Sequence, residues 1–67
     1  MTDFQALIQD LSARCGLTET EIGDLAGLAQ TSVNRIKHEH GAEPRYSVGV
    51  RLIKLHEREM RRLKRIA

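Results

Sequence analysis

The sequence predicts an all-α fold, a small bundle of four or five helices that ends in an extended basic C-terminal helix. Three observations lead there. Apolar residues recur at spacings of three and four through most of the chain, the period of a helix that buries one face. Phe4 and Tyr46 are the only aromatic residues among 67, so the core has to come from Leu, Ile, Val and Ala. Breakers at Gly16, at Gly27 and at His40-Gly41 with Pro44 then cut the chain into helix-sized pieces. A chain of this length reads as one domain over residues 1–67. It buries only about 60% of its unfolded surface, so pairing with a second copy would help it.

The first helix is expected over about 3–15. Thr2 followed by Gln5 resembles a capping box, Phe4, Leu7, Ile8, Leu11 and Cys15 share one face, and Gly16 supplies a left-handed end. In that phase Cys15 reads as a buried apolar residue rather than a reactive thiol, and a lone cysteine has no intramolecular disulfide partner. The second helix, 19–26, starts at Thr18, which forms a capping box with Glu21 while Leu17 staples onto Ile22. Gly27 provides the positive φ of the following turn. The third helix runs from about 30 to 38, although Ala29 takes the N-cap, where Ser, Thr, Asp or Asn would contribute about 1 kcal/mol more.

Beyond a polar loop over 39–46, Ser47 is expected to cap a fourth helix over 48–65, with no breaker before the C-terminus. Val48, Leu52 and Leu55 form its inward side. Ile53, Met60 and Leu63, with Ile66 beyond, make a thinner apolar seam with no partner within the chain; a second copy is the expected partner, through a dimer seam of a few helical turns.

The stretch from Ile22 to Ile36 carries the most information. Ile22, Ala26, Leu28, Val33 and Ile36, with Gly23 and Gly27 between them, have the offsets of two short helices closing a small core around a tight turn, a helix-turn-helix. Gln30, Thr31, Asn34, Arg35 and His38 fall on the opposite side of the second of these helices. Their side chains are of the types that hydrogen-bond base edges and phosphates. Gln30, Thr31, Asn34 and Arg35 are the candidate base contacts. Ser32 and His38, nearer the groove walls, and Lys37 are the candidate phosphate contacts. Alone, such a stripe is also what a solvated helix face looks like; the two-helix pattern around it favours nucleic acid.

Charge points the same way. The formal net charge of +2 divides into −4 over residues 1–44 and +6 over residues 45–67. Arg45, Arg51, Lys54, Arg58, Arg61, Arg62, Lys64 and Arg65 could add sequence-independent affinity by releasing counterions from phosphates. They spread around the helix, so Arg45 and Arg51 are the leading phosphate candidates and the others serve more as solubilising charge.

From residue 4 to about 56 the chain resembles the helix-turn-helix family of phage repressors and Cro-like regulators, the lambda-repressor-like DNA-binding domains. Ile22-Gly23, Gly27, Val33 and Ile36 stand at that family's apolar and glycine positions, and Gln30-Thr31 is similar to the Gln-Ser or Gln-Thr pair that opens many of its recognition helices. The resemblance implies a bundle of four or five helices, a homodimer on a pseudo-palindromic double-stranded DNA operator, and repression by occlusion of promoter DNA. Two departures stand out. Glu19 occupies the place where several relatives have a Gln that braces the residue matching Gln30, so a different orientation is expected for Gln30. The basic tail also runs past the matched pattern, and the resemblance implies nothing for it.

Other classes find little support. His38, His40 and His56 lack the four-ligand spacing of a structural zinc site, so no metal or other cofactor is expected. No nucleophile and base, phosphate-binding loop or carboxylate pair suggests catalysis or a small-molecule substrate. With one cysteine and no apolar run of spanning length, the expected compartment is the cytoplasm and no membrane partner is expected. The alternative from a different class is an antitoxin-like or adaptor protein whose long helix binds a protein partner, with DNA contact incidental.

Overall fold

In a computed structural model that describes residues 2–66, four helices and no strand account for the regular structure. The side chain of Ile66, counted above in the seam, lies outside the described residues.

Helix α1 spans Phe4–Ala13 and is capped by Asp3, not by Thr2: the Asp3 carboxylate accepts from the Ala6 amide at 3.1 Å. A carboxylate satisfies an orphan amide and also complements the positive end of the helix dipole. Gln5, freed from the expected box, reaches the Lys37 carbonyl at 3.3 Å instead. The helix stops two residues before the expected end. The Arg14 and Cys15 amides both close on the Asp10 carbonyl, at 2.8 and 3.2 Å, and Gly16 at φ +71° sends the Leu17 amide back to the Leu11 carbonyl.

Helix α2, Glu19–Ala26, starts as the sequence predicts, with both bonds of the Thr18–Glu21 capping box formed at 3.1 Å. It ends at Gly27, φ +78°, and the Leu28 amide returns to the Gly23 carbonyl at 2.8 Å. Gly23 is needed for a close backbone approach: a Cβ there would stand 2.5 Å from the Leu28 carbonyl oxygen. The space it preserves is occupied by the turn itself rather than by the next helix. Helix α3, Gln30–His38, follows with Ala29 in the cap conformation and no side chain accepting from its first turn.

Helix α4 runs from Tyr46 to Ile66, two residues earlier than expected. The Gly49 amide donates to the Arg45 carbonyl at 2.7 Å, so Ser47 lies inside the first turn and does not cap it. Alongside α1 it runs in the same direction. A Cβ on Gly49 would stand 3.0 Å from the Phe4 ring, and farther along His56 Nε2 meets Asp10 Oδ2 at 3.3 Å.

The helices α1 and α2 each pack against both α3 and α4. Their shared core is aliphatic, with Ile8, Leu11, Ile22, Val33 and Leu52 fully enclosed and Cys15 buried among them. On α4 the inward stripe is longer than expected. Val48, Leu52 and Leu55 continue at helical spacing through Glu59 and Leu63, and Leu63 packs on the core together with the half-buried Ile53 and Met60. The far part of α4 therefore does have a partner within the chain. Glu59, 7% exposed, stays in this stripe because Arg62 Nη2 donates to its carboxylate at 3.1 Å.

Candidate nucleic-acid interface

Helix α3 is held from its inner side. Val33 and Ile36 are buried, whereas Gln30, Thr31, Asn34, Arg35 and His38 are exposed. A helix fixed in this way presents one uninterrupted polar face.

Two members of that face are held by α2. The Glu19 carboxylate accepts from Gln30 Nε2 at 3.3 Å and from Asn34 Nδ2 at 2.9 and 3.4 Å. Glu19, at the first position of α2, thus braces Gln30 and extends the brace to Asn34. A carboxylate only accepts, so each amide must turn its nitrogen toward Glu19.

Arg35 forms an exposed pair with Glu39, Nε to Oε2 3.6 Å, one helical turn away. Such a pair is weak and easily exchanged for another anion. Lys37 points elsewhere. Half-buried, it donates from Nζ to Ser12 Oγ on α1 at 3.3 Å, while its carbonyl accepts from Gln5 and Gln9, both at 3.3 Å. These two glutamines satisfy a carbonyl at the end of α3 that has no intrahelical partner.

Beside the opposite edge of α3 lies an open groove of about 430 Å³ lined by Gly27, Ser32, Arg35, Arg45 and Val48 among others. Arg51 reaches the same end of the molecule, its Nη1 2.6 Å from where a Gly27 Cβ would stand. Among the described residues neither Arg45 nor Arg51 has a carboxylate within 4.0 Å, whereas Arg58, Arg61 and Arg62 are paired with Glu57 or Glu59. Part of the tail's positive charge is therefore balanced within α4.

No family model, no curated protein and no solved structure matches this chain. Its function has to be read from the geometry.

The histidines are scattered: His40 Nδ1 lies 3.3 Å from Gln5 Oε1, His56 is on Asp10, and His38 is exposed. Among the described residues no three His, Cys, Asp or Glu side chains converge as metal ligands, and no helix is long and apolar enough to cross a membrane. Burial, followed by the negative charge of Glu59, pushes the Cys15 thiol above its ordinary 9.0. That makes it a poor nucleophile.

The sequence set Glu19 beside Gln30 through the resemblance but gave no link from Glu19 to Asn34. An acid at the first position of α2, followed 11 and 15 residues later by two amides on the outer face of α3, is the signal that would have found it.

Proposed function

We propose that this chain is a sequence-specific double-stranded DNA-binding regulator, with α2 and α3 as its helix-turn-helix, and that it represses transcription as a homodimer on a pseudo-palindromic operator. One observation carries the reading. All five outward side chains of α3 are exposed on a helix whose buried residues, Val33 and Ile36, lie on its other side, and such a helix fits the roughly 12 Å width of the major groove. Gln30, Thr31, Asn34 and Arg35 are its base-reading residues. Ser32 and Arg45 border the groove beside α3 and Arg51 reaches Gly27 in its wall; these three are its proposed phosphate contacts, with His38 at the exposed C-terminal end. Lys37, engaged with Ser12, contributes least.

A two-fold operator needs two copies. Tyr46, 89% exposed, and the half-buried Ile53 and Met60 stand at seven-residue steps along α4, the register in which two helices pair. Ile53, Met60 and Leu63 are all half-buried, each with part of its surface outside the core, so the proposed dimer seam of Ile53, Met60 and Leu63 extends to Tyr46. Sedimentation equilibrium of the wild type and of an Ile53→Lys, Met60→Lys double variant tests it; equal association with unchanged helicity excludes this seam.

The deciding experiment for the function is selection from a random duplex pool, followed by titration of the winner and a scrambled duplex at two salt concentrations. A palindromic motif preferred by about a thousandfold or more supports an operator-binding regulator. Weak, sequence-blind and strongly salt-dependent binding overturns it and leaves the adaptor reading.

A further inference from the structure

We infer that Glu19 determines base specificity by fixing the amides of Gln30 and Asn34 in the orientation that reads adenine and rejects guanine. The inference rests on the DNA-binding reading and adds a residue outside α3 to it. The Glu19 carboxylate takes one N–H from Gln30 at 3.3 Å and one from Asn34 at 2.9 Å. An amide nitrogen has two N–H groups, and a carboxylate offers nothing but acceptors. Neither amide can therefore flip to turn its oxygen inward without placing that oxygen against a negative charge. What each has left for the groove is a carbonyl oxygen and a single N–H.

That pair of groups matches the major-groove edge of adenine, whose N6 amino group donates and whose N7 accepts. Guanine presents two acceptors, N7 and O6, at the same positions. Against guanine the amide oxygen would oppose O6, and the carboxylate behind it would deepen the repulsion. Rejection of the wrong partner through like polarity is a strong source of specificity. A neutral Gln at position 19 could hold the same amides while accepting or donating, and would leave both orientations open.

Only Glu19 imposes this constraint from outside the helix. Among the described residues Thr31 and His38 have no side-chain hydrogen bond, and Arg35 is tied only to Glu39. The constraint thus acts on the one or two base pairs faced by Gln30 and Asn34 and on no others.

The test is parallel selection from one random duplex pool by the wild-type chain and by E19Q, with the melting temperature of both recorded. Titrations of each against its motif, carrying adenine or guanine at every position in turn, follow. For the wild type, adenine-to-guanine replacement at one or two adjacent positions should weaken binding about tenfold or more, the size of a lost bidentate base contact. In E19Q the same replacement should cost less than about threefold, with discrimination at all other positions retained. Motifs identical base for base, or an equal loss of preference at every position, overturn the role of Glu19 while leaving the DNA reading intact. A wild-type chain that selects no motif overturns both. Should E19Q melt far below the wild type, E19D, which keeps the acceptor-only carboxylate, replaces it as the comparison. Retention of the wild-type adenine preference in E19D then supports the inference, and its loss in a folded E19D overturns it.

Discussion

The α-carbon of Gly23 faces the Leu28 carbonyl oxygen so closely that a Cβ would lie 2.5 Å from it. Backbone on both sides fixes this distance, so relief requires the α2–α3 turn to move. For Gly23→Ala the strain outweighs the gain of about 1 kcal/mol that Ala brings to a helix interior. A net loss of about 2 kcal/mol, or roughly 10 °C in melting temperature, is expected by thermal circular dichroism. Gly49→Ala is the control: its Cβ would stand 3.0 Å from the Phe4 ring and 3.6 Å from Pro44 Cγ, side chains rather than backbone, and the ring can turn aside. It should stay within about 1 kcal/mol of the wild type. Equal melting of the two variants would contradict the tight-turn account.

Ala29 already has the backbone of an N-cap, φ −68° and ψ 149°, but no acceptor for the first turn of α3. Ala29→Ser should raise stability by about 1 kcal/mol and the melting temperature by roughly 5 °C. A variant that melts at or below the wild type would mean that the orphan amides are already satisfied.

Glu59 interrupts an otherwise apolar stripe of α4. Its partner Arg62 is half-exposed, so removal of the carboxylate leaves no buried cation behind. Glu59→Leu is expected to melt at or above the wild-type temperature. Glu59→Ala, which loses the buried methylenes as well, should lie about 1–2 kcal/mol below Glu59→Leu. The reverse order in chemical denaturation would show that the ion pair itself holds α4 to the core.

The basic side chains divide by orientation. Arg45→Ala and Arg51→Ala should each reduce the slope of log affinity against log salt by about 1 for any duplex. Lys37→Ala should leave that slope alone and instead lower stability by about 0.5–1 kcal/mol, through loss of the bond to Ser12. A slope that falls with Lys37→Ala would place its ammonium at phosphate after all.

Cys15 has a pH signature. Its thiol is raised in the folded protein, by burial first and by Glu59 second, so above the ordinary value of 9.0 the unfolded chain loses this proton more readily than the folded one. The stability that Cys15 contributes is present in full below pH 9.0 and declines as pH rises past it toward the folded-state value. Urea midpoints of the wild type and of Cys15→Ala, compared at pH 8 and pH 10, should converge at the higher pH. Parallel midpoints would exclude the shift.

Much of this architecture is legible in the residues because local and global signals agree. Thr18 and Glu21 fix the start of α2, Gly27 its end, and the spacing of Leu7, Ile8, Leu11, Ile22, Val33 and Leu52 marks the core by helical phase alone. What escapes is the contest between neighbours. Thr2 and Asp3 are both good caps, one for the Gln5 amide and the other for the Ala6 amide, and only the folded chain decides for Asp3. Glu59 hides the continuation of the inward stripe, because a carboxylate reads as solvent-facing until Arg62 is seen to satisfy it. At the candidate site, the outward face of α3 follows from helical phase alone. The grip of Glu19 on Gln30 and Asn34, like the turning of Lys37 toward Ser12, depends on how two helices cross, which no single-helix periodicity contains.

The two glutamines of α1 that donate to the Lys37 carbonyl bear on where this chain can be cut. The end of α3 is completed by the first helix, and its core residues Val33 and Ile36 are enclosed in a cluster that draws on every helix. The α2–α3 segment is therefore not a portable module. Excised as a peptide, it keeps its turn chemistry but loses the surfaces that make nine residues of helix persist, since so short a helix is marginal in water without tertiary support. Transplanting the outward side chains of α3 onto another scaffold would demand that the new host bring its own first helix to the same carbonyl.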